Sequence, residues 1–299
     1  MELRDIEIFL TLAEELHFGR TAERLRLTSA RVSQPVKKQE RQIGALLFDR
    51  SSHHVALTPV GRRLREDLQP AYQALRKGLD NARLAARTGA ESAGTPLRLG
   101  IVGGGPVDDL RPVFDAFAGR YPEHPLQLRS IPFGRPFDSL RRGDLDLAVL
   151  WLPVREPDLA VGPVLFTVPF VLAVGVRHRL AGRESVTYED LAGETTLAAD
   201  VPDYWRAAVV PFRTPNGQPI HVGPTVDGWM ELVAVVANGE LVAPVHAHAV
   251  RYHARPDLVY VPITGVPDSR WAPVWRAGAE SDVIRAFLDL VTDLGPLHL

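Results

Sequence analysis

The chain has 299 residues, of which 45% are hydrophobic and 23% are charged, as is typical of globular proteins. Its length is sufficient for more than one hydrophobic core. The absence of cysteine excludes disulfides, thiolate metal sites and thiol catalysis. No apolar run reaches the ~18–20 residues that span a membrane, so no membrane partner is expected. The first residues carry acids where an export signal needs positive charge, so we expect a cytoplasmic location.

The net charge is −2, but the charges are unevenly distributed along the chain. Residues 26–65 contain nine Lys or Arg and two Asp or Glu, whereas residues 91–299 contain 18 basic and 25 acidic residues. A basic block on an acidic body is typical of a surface that binds phosphate groups. A solvated basic face explains the charge pattern equally well.

The first fifty residues predict three helices. Apolar residues at helical spacing predict the first helix over 3–16, and Gly19 is expected to separate it from a short second helix. Thr28 is the expected N-cap of the third helix. The residues of the second and third helices that are predicted to face inward are Ala22, Leu25, Val32, Val36 and Ile43.

The outward face of the third helix combines short polar side chains with long cationic ones. Short polar groups can read the edges of bases, and cations neutralise phosphates. The composition therefore predicts a recognition helix for double-stranded DNA. The residues predicted to contact DNA from this helix and its start are Thr28, Ser29, Ala30, Arg31, Ser33, Gln34, Lys37, Lys38 and Arg41.

Residues 46–58 predict a two-stranded hairpin, because apolar residues flank a polar tip. A hairpin that follows a recognition helix is typical of a DNA-binding wing. Arg50, His53 and His54 are then predicted to contact phosphate or the minor groove. An ordinary surface hairpin is the alternative.

Thr58 followed by Pro59 is a helix start, with an N-cap and a proline at the first helical position. From Val60 to Ala86 apolar residues recur at steps of three and four, which predicts a helix over 59–88 with one apolar stripe. A second copy of the helix is its simplest partner, so a homodimer or homotetramer is expected. Pro70 is expected to kink this helix or weaken one of its turns, and residues 88–96 are expected to be a linker.

The C-terminal two hundred residues alternate between strand-like and helix-like segments, which is typical of a parallel sheet covered by helices. The predicted strands are 97–102, 126–131, 145–152, one or two within 164–176, then 220–222, 241–245 and 258–263. The predicted helices are 107–121, 137–142, 204–212, 229–237 and 281–294.

Several N-terminal motifs follow one another in a fixed order: Thr21-Ala22-Glu23-Arg24-Leu25, Val32-Ser33-Gln34-Pro35-Val36, Leu47-Phe48-Asp49-Arg50 and Leu57-Thr58-Pro59-Val60-Gly61. In this order they resemble the LysR-type transcriptional regulators, actinobacterial members most of all. Weaker similarity continues through GDLDLAVL and HRLAGRESVTYEDLAGE, so the resemblance covers nearly the whole chain.

The resemblance implies an α/β protein with a winged helix-turn-helix at 1–58, a linker and dimerisation helix at 59–88, and a periplasmic-binding-protein-like effector domain at 95–299. The first lobe of that domain is expected at about 95–162 plus 267–299, and the second at about 163–266. A cytoplasmic regulator is implied, whose operator binding responds to a small molecule of unknown identity. RNA polymerase is a further candidate partner.

Ligands of such sheets bind beyond the carboxyl ends of the strands, where the loops carry candidate effector-binding residues. Consecutive glycines would let backbone N–H groups approach an anion, and Arg135 could pair a carboxylate. Plain turns are the alternative at each loop. The residues predicted to contact the effector are Gly103, Gly104, Gly105, Phe133, Gly134, Arg135, Trp151, Asp200, Pro202, Thr225, Val226, Asp227, Pro244 and Val245.

Other kinds of site are less well supported. The glycine run at 100–106 lacks the third glycine of a dinucleotide fingerprint, because Asp108 stands there. His246 and His248 would need a strand to bind one metal, whereas the sequence after Pro244 suggests a helix start. No nucleophile-elbow or zinc-protease motif occurs, so no catalytic residue, metal or cofactor is expected. An enzyme or solute-binding protein with a fused N-terminal module is the alternative function.

Pro35 departs from the family pattern, which usually has a helix-forming residue at this position. A proline inside a helix cannot donate the backbone hydrogen bond and clashes with the preceding turn, at a cost of about 3 kcal/mol. We therefore predict that Pro35→Gln raises the thermal unfolding midpoint of the N-terminal domain. Thermal unfolding of the variant and the parent chain measures this, and a lower midpoint for the variant contradicts it.

Overall fold

The computed structural model describes residues 2–50, 55–88, 95–103, 106–226 and 228–299. The chain forms two compact units, Met1–Glu91 and Ser92–Leu299. Five residues of the predicted sites lie outside the described residues: His53, His54, Gly104, Gly105 and Asp227.

The N-terminal unit consists of three helices, a hairpin and a long helix. In chain order these are α1 (Leu3–Glu15), α2 (Phe18–Leu25), α3 (Ser29–Ile43), β1 (Phe48–Arg50), β2 (Val55–Leu57) and α4 (Pro59–Thr88). The strands β1 and β2 pair antiparallel, as predicted for the wing. The three short helices and the hairpin share one core, in which Phe9, Leu12, Val32, Val36 and Phe48 are buried.

Two details of the short helices differ from expectation. Gly19 lies inside α2 rather than before it, because the His17 side chain caps the helix and accepts hydrogen bonds from the backbone N–H groups of Gly19 and Arg20 at 3.1 and 3.2 Å. Ile43 is 39% exposed instead of buried. It is the last residue of α3, and the inward positions of that turn are occupied by Gln39 and Glu40.

The helix α4 is continuous through Pro70 and begins as predicted, with the Thr58 hydroxyl accepting the Gly61 N–H at 3.0 Å. Its apolar stripe has two parts. Leu64 and Leu68 pack on the core of the N-terminal unit. Leu75 and Leu79, further along the helix, are 49% and 43% exposed in the single chain. Leu75 and Leu79 would therefore be buried only if another surface packed against this part of α4.

The C-terminal unit alternates strands and helices. In chain order its elements are β3 (Leu97–Val102), α5 (Arg111–Arg120), β4 (Leu126–Ile131), α6 (Asp138–Arg141), β5 (Leu147–Trp151), β6 (Leu159–Val161), β7 (Phe166–Val168), β8 (Phe170–Gly175), β9 (Thr195–Ala198), α7 (Asp203–Ala207), β10 (His221–Thr225), α8 (Trp229–Ala237), β11 (Ala243–His246), α9 (Ala249–Tyr252), β12 (Leu258–Pro262), β13 (Ser269–Arg276), α10 (Asp282–Leu294) and β14 (Leu297–His298).

These strands form two main sheets. One has the order β14-β7-β13-β5-β3-β4, with β6 also paired to β13, and the other has the order β11-β8-β12. A separate parallel pair joins β9 and β10. The chain passes from the larger sheet to the smaller one at Pro169, and it returns between Ile263 and Ser269. This double passage produces two lobes.

Neither main sheet is wholly parallel: the larger one is mixed, and the smaller one is antiparallel. β3 pairs parallel with β4 and β5, but β13 pairs antiparallel with β5, β6 and β7, and both neighbours of β8 are antiparallel. The strand β13 was not predicted, and it contains Pro273. That proline lies between the residues that pair with β7 (269–271) and those that pair with β6 (274–276), where the sheet tolerates a missing donor.

Two predicted helices are shorter than expected, and one predicted start is wrong. The helix expected over 107–121 begins only at Arg111, and the one expected over 204–212 spans Asp203–Ala207. The residues after Pro244 do not start a helix, because the strand β11 continues to His246 and pairs with Phe170 of β8. His246 therefore lies on a strand.

Gln39 is a fully buried polar residue of α3. Its Nε2 donates to the Asp5 carbonyl of α1 at 2.7 Å, and its Oε1 has no hydrogen-bond partner among the described residues. An unsatisfied buried oxygen costs roughly 1–3 kcal/mol.

We expect Gln39→Leu, which keeps the volume and removes that oxygen, to raise the free energy of unfolding of the N-terminal unit by about 1 kcal/mol. Gln39→Ala is the matched control, which leaves a cavity and is expected to be destabilising. Urea unfolding followed by circular dichroism measures both. A Leu variant as unstable as the Ala variant contradicts the prediction.

Candidate functional site

The outward face of α3 presents the nine residues that were predicted to contact DNA from this helix and its start. All but one of them are exposed, and Ser33 is half-buried, with its hydroxyl donating to the Ala30 carbonyl at 3.2 Å. The exposed residues are Thr28, Ser29, Ala30, Arg31, Gln34, Lys37, Lys38 and Arg41. One helix face therefore carries cations along its length and small polar groups near its start.

The cations on this face differ in how far they are neutralised. Lys38 Nζ lies 3.8 Å from the Asp5 carboxylate of α1. Arg41 donates to the Lys37 carbonyl at 3.4 Å. Within the part of the chain that the structure describes, neither Lys37 nor Arg31 forms an ion pair. Their charges are thus available to a phosphate.

Glu40 fixes the hairpin to α3. Its buried carboxylate accepts hydrogen bonds from the backbone N–H groups of Leu47 and Phe48 at 3.0 and 3.3 Å. The first strand of the hairpin ends at Arg50, opposite Val55. Glu40 therefore holds the first strand of the hairpin to α3, and it was not among the residues predicted for this site.

The C-terminal unit contains an apolar cavity with about 620 Å³ of empty space, part of which is open to solvent. Five of the predicted effector-binding residues line it: Phe133, Trp151, Val226, Pro244 and Val245. The other lining residues are Leu197, Ala199, Val201, Trp205, Arg206, Val209, Val210, Trp229, Leu232 and His246. The cavity lies where elements of both sheets approach each other.

A polar cleft adjoins the cavity and shares Ala199 with it. Four further predicted residues line this cleft: Gly134, Arg135, Asp200 and Thr225. Gly103 has a φ of +64°, and a Cβ at this position would lie 2.5 Å from the Phe133 ring, so its role here is to leave room for that wall. Pro202 is the residue before α7.

Sequence reasoning missed most of the cavity wall contributed by the second lobe. Trp205 and Trp151 stack with ring centroids 3.6 Å apart and an angle of 13° between the planes. Each indole N–H donates to the other residue's carbonyl, at 3.2 Å from Trp151 and 3.1 Å from Trp205. Since Trp151 ends β5 and Trp205 belongs to α7, this pair connects the two lobes. In the sequence, the high tryptophan content of the C-terminal unit is the only sign of this contact.

A second connection between the lobes lies at Asp109. Its carboxylate accepts hydrogen bonds from Arg251 at 2.6 Å and from the Tyr252 hydroxyl at 3.1 Å. Asp109 precedes α5, whereas Arg251 and Tyr252 belong to α9. Burial raises the pKa of Tyr252, and the hydrogen bond that its hydroxyl donates to this carboxylate raises it further.

The two histidines considered as metal ligands are buried side by side. His246 Nε2 lies 3.0 Å from the Ser269 hydroxyl, and the His246 and His248 rings are 5.7 Å apart. Burial lowers the pKa of His246 well below its usual value and that of His248 to about 4. No group of three potential metal ligands occurs among the described residues. Both rings are therefore neutral near pH 7, and His246 also lines the cavity.

Comparison with known proteins agrees with this organisation. The profile of the LysR substrate binding domain matches residues 90–295, and that of the bacterial regulatory helix-turn-helix protein, lysR family, matches residues 3–62. The chain belongs to the LysR family. As a LysR-family protein it is a transcriptional regulator with a DNA-binding helix-turn-helix and an effector-binding domain, and not an enzyme.

Three similar proteins illustrate the match. The Hca operon transcriptional activator HcaR of Escherichia coli is 28% identical over 98% of both chains. The regulator AlsR of Bacillus subtilis is 33% identical over 66% of this chain and 64% of its own length. The structure of full-length CbnR complexed with target DNA is 19% identical, with a TM-score of 0.60 over 99% of this chain and all of CbnR, and so shows the shared fold.

Within the described residues, no helix combines the length and the apolar character needed to cross a membrane.

The depressed pKa of His248 predicts how stability depends on pH. An unfolded histidine titrates near 6.5, so between pH 6.5 and about 4 the unfolded chain binds more protons than the folded one. Stability should fall as the pH falls through this window, by about 3 kcal/mol for His248. Burial causes the shift and outweighs the nearby Asp109 carboxylate, which acts in the opposite direction.

Replacing His248 with Phe removes this group. We expect the free energy of unfolding of His248→Phe to decline less steeply than that of the parent chain between pH 6.5 and 4, while His246 continues to contribute. Denaturant unfolding at several pH values measures both slopes. Equal slopes for the two proteins contradict the prediction.

Proposed function

We propose that this LysR-family regulator works in the cytoplasm, binds double-stranded DNA through the outward face of α3, and changes its operator affinity when a small molecule occupies the cavity. The observation that carries the DNA-binding part is the row of exposed polar and cationic side chains on α3, fixed to the hairpin by Glu40. Cations without ion pairs can exchange counterions for phosphates at little cost.

The proposed DNA contacts divide by chemistry. Ser33 and Gln34, near the start of α3, are assigned to base edges, because a recognition helix enters the major groove with its N-terminal residues. Arg31, Lys37 and Arg41 are assigned to phosphates. The remaining proposed contacts are Thr28, Ser29, Ala30 and Lys38 of the helix region and Arg50, His53 and His54 of the wing.

The apolar residues on the second part of α4 support self-association. Leu75 and Leu79 are half-exposed, and a second α4 would bury them and hold two recognition helices at a fixed spacing. We propose a homodimer built on residues 59–88, as the basic unit of a dimer or a tetramer, with the winged helix-turn-helix at 1–58 and the effector domain at 95–299. RNA polymerase is a proposed further partner.

The cavity supports the effector part of the proposal. It is apolar, opens to solvent, and lies between elements of both sheets, which is where a ligand can bias the relation of two lobes. We propose contacts from Phe133, Trp151, Val226, Pro244 and Val245 in the cavity. Gly134, Arg135, Asp200 and Thr225 of the adjoining cleft, together with Gly103, Gly104, Gly105, Pro202 and Asp227, complete the proposed set.

Two α3 variants test the assignment of base and phosphate contacts. Lys37→Ala should weaken binding to every duplex and lower the slope of log affinity against log salt by about 1, because one phosphate contact is lost. Ser33→Ala should leave that slope unchanged and alter the preference among sequences.

Fluorescence anisotropy measures this with the region upstream of the regulator's own gene and with a shuffled duplex of equal length. Arg285→Ala, an exposed cation on α10, is the matched control and should bind like the parent chain. Equal losses on both duplexes from both α3 variants contradict the assignment, and a parent chain without salt-dependent affinity contradicts DNA binding through this face.

A further inference from the structure

Arg206 is a buried cation in the wall of the apolar cavity. It belongs to α7, is 5% exposed, and lies among the lining residues of the cavity. Charged side chains of this kind are rarely buried unless an opposite charge accompanies them. The next question is therefore whether the residues around Arg206 supply a negative charge.

The oxygens around the guanidinium are neutral. Its Nε and Nη2 donate to the Leu197 carbonyl at 3.2 and 2.8 Å, Nη2 also donates to the Thr196 hydroxyl at 3.2 Å, and Nη1 donates to the Val210 carbonyl at 3.0 Å. The charge also lies 4.4 Å from the centre of the Phe212 ring. Four hydrogen bonds leave at least one of the five guanidinium N–H groups without an acceptor among the described residues.

Negative charge is absent from this part of the wall. Within the described residues, no carboxylate lies within ion-pair distance of Arg206, and the lining of the cavity includes neither Asp nor Glu. Asp203, at the start of the same short helix, is the acid that acts on Arg206 electrostatically, and it is exposed. His246 is the other titratable lining residue, and its burial keeps it neutral. The described lining therefore carries one positive charge.

A single cation behind apolar walls favours a ligand of opposite charge, because the low local dielectric weakens the screening between them. The aromatic side chains of Phe133, Trp151 and Trp229 offer flat apolar surfaces for the rest of the ligand. A ligand with two or more charges would leave charge unpaired in the cavity, and a cation would be repelled.

We propose that the effector is an organic monoanion with an apolar, ring-sized body, and that Arg206 is the residue that selects its charge. The anionic group lies on the Arg206 side of the cavity, and the body packs among the aromatic side chains. This inference rests on the proposed function only in calling the occupant of the cavity the effector. The charge preference of the cavity can be measured without DNA.

Three probes of the same shape test the charge preference: naphthalene-2-carboxylate, its neutral amide naphthalene-2-carboxamide, and the cation 2-naphthylmethylammonium. Isothermal titration calorimetry on the full chain gives the affinity of each. We expect the carboxylate to bind at least about tenfold more tightly than the amide, which corresponds to one favourable charge contact of roughly 1.4 kcal/mol. The ammonium probe should bind most weakly.

Variants locate the effect. Arg206→Gln should bring the affinity for the carboxylate down to that for the amide and leave the amide affinity within a factor of about three, which also shows that the cavity is intact. Arg206→Lys keeps the charge and should keep part of the preference. Ala199→Trp fills the space where cavity and cleft meet and should abolish binding of all three probes.

Equal affinities for carboxylate and amide overturn the proposal, as does the absence of binding by every probe. Equal loss of both affinities in Arg206→Gln overturns the role of Arg206. The parent chain's salt-dependent DNA affinity is measured on the same preparation. Loss of charge preference with intact DNA binding refutes this inference alone, whereas absent DNA binding with intact charge preference refutes the proposed regulator mechanism alone.

Discussion

The effector domain depends on the contact between Trp151 and Trp205. The two rings stack, and each indole N–H donates to the other residue's backbone carbonyl, so both buried donors are satisfied by the contact itself. A buried indole N–H without an acceptor is costly, which makes separation of the pair unfavourable unless water or ligand replaces both bonds. The position of α7 against the end of β5, and with it the shape of the cavity, follows from this pair.

The surroundings of the tryptophan pair extend the same constraint. Phe137 packs edge-to-face on Trp205, with ring centroids 5.5 Å apart. Trp271 packs in the same way on Trp151, with ring centroids 5.4 Å apart. On the adjoining segment, the Tyr204 hydroxyl donates to Glu156 at 2.7 Å and accepts the Arg155 N–H at 3.1 Å. Aromatic packing in the interior and hydrogen bonds at the edge therefore join the same two segments, and Asp109 joins the lobes at a separate place.

The sequence was sufficient for the elements whose signals are local. Three elements depend mainly on neighbouring residues: the capped helix start at Thr58 and Pro59, the hairpin, and the first strand of the C-terminal unit, which begins at Leu97. The structure has all three where the sequence pattern predicted them. The strand β13 could not be predicted in this way, because Pro273 is tolerated only through the change of partner strand beside it. The burial of Gln39 and Glu40 could not be predicted from neighbouring residues either, because their hydrogen-bond partners lie on α1 and at the start of the hairpin.

The lining of the cavity was even harder to predict from local sequence signals. Phe133 and Val245 could be predicted as lining residues, because they lie near strand ends, and ligands of such sheets bind beyond the carboxyl ends of the strands. Arg206 could not, because nothing near it in the sequence shows that its guanidinium is surrounded by the carbonyls of Leu197 and Val210. Burial of a charge is a property of the assembled fold, so the residue that we propose to select the ligand's charge is not visible in the sequence pattern.

The two units use charge in opposite ways. On α3 the cations are exposed, so each is hydrated and screened, and its attraction to a phosphate is weak singly and depends on salt. In the cavity the described lining carries a single buried cation, and we propose that this one charge distinguishes ligands of the same shape. On the proposed assignments, DNA affinity rests on several replaceable contacts spread over a helix, while ligand choice rests on one side chain. On these proposals, a substitution can alter either property without changing the other.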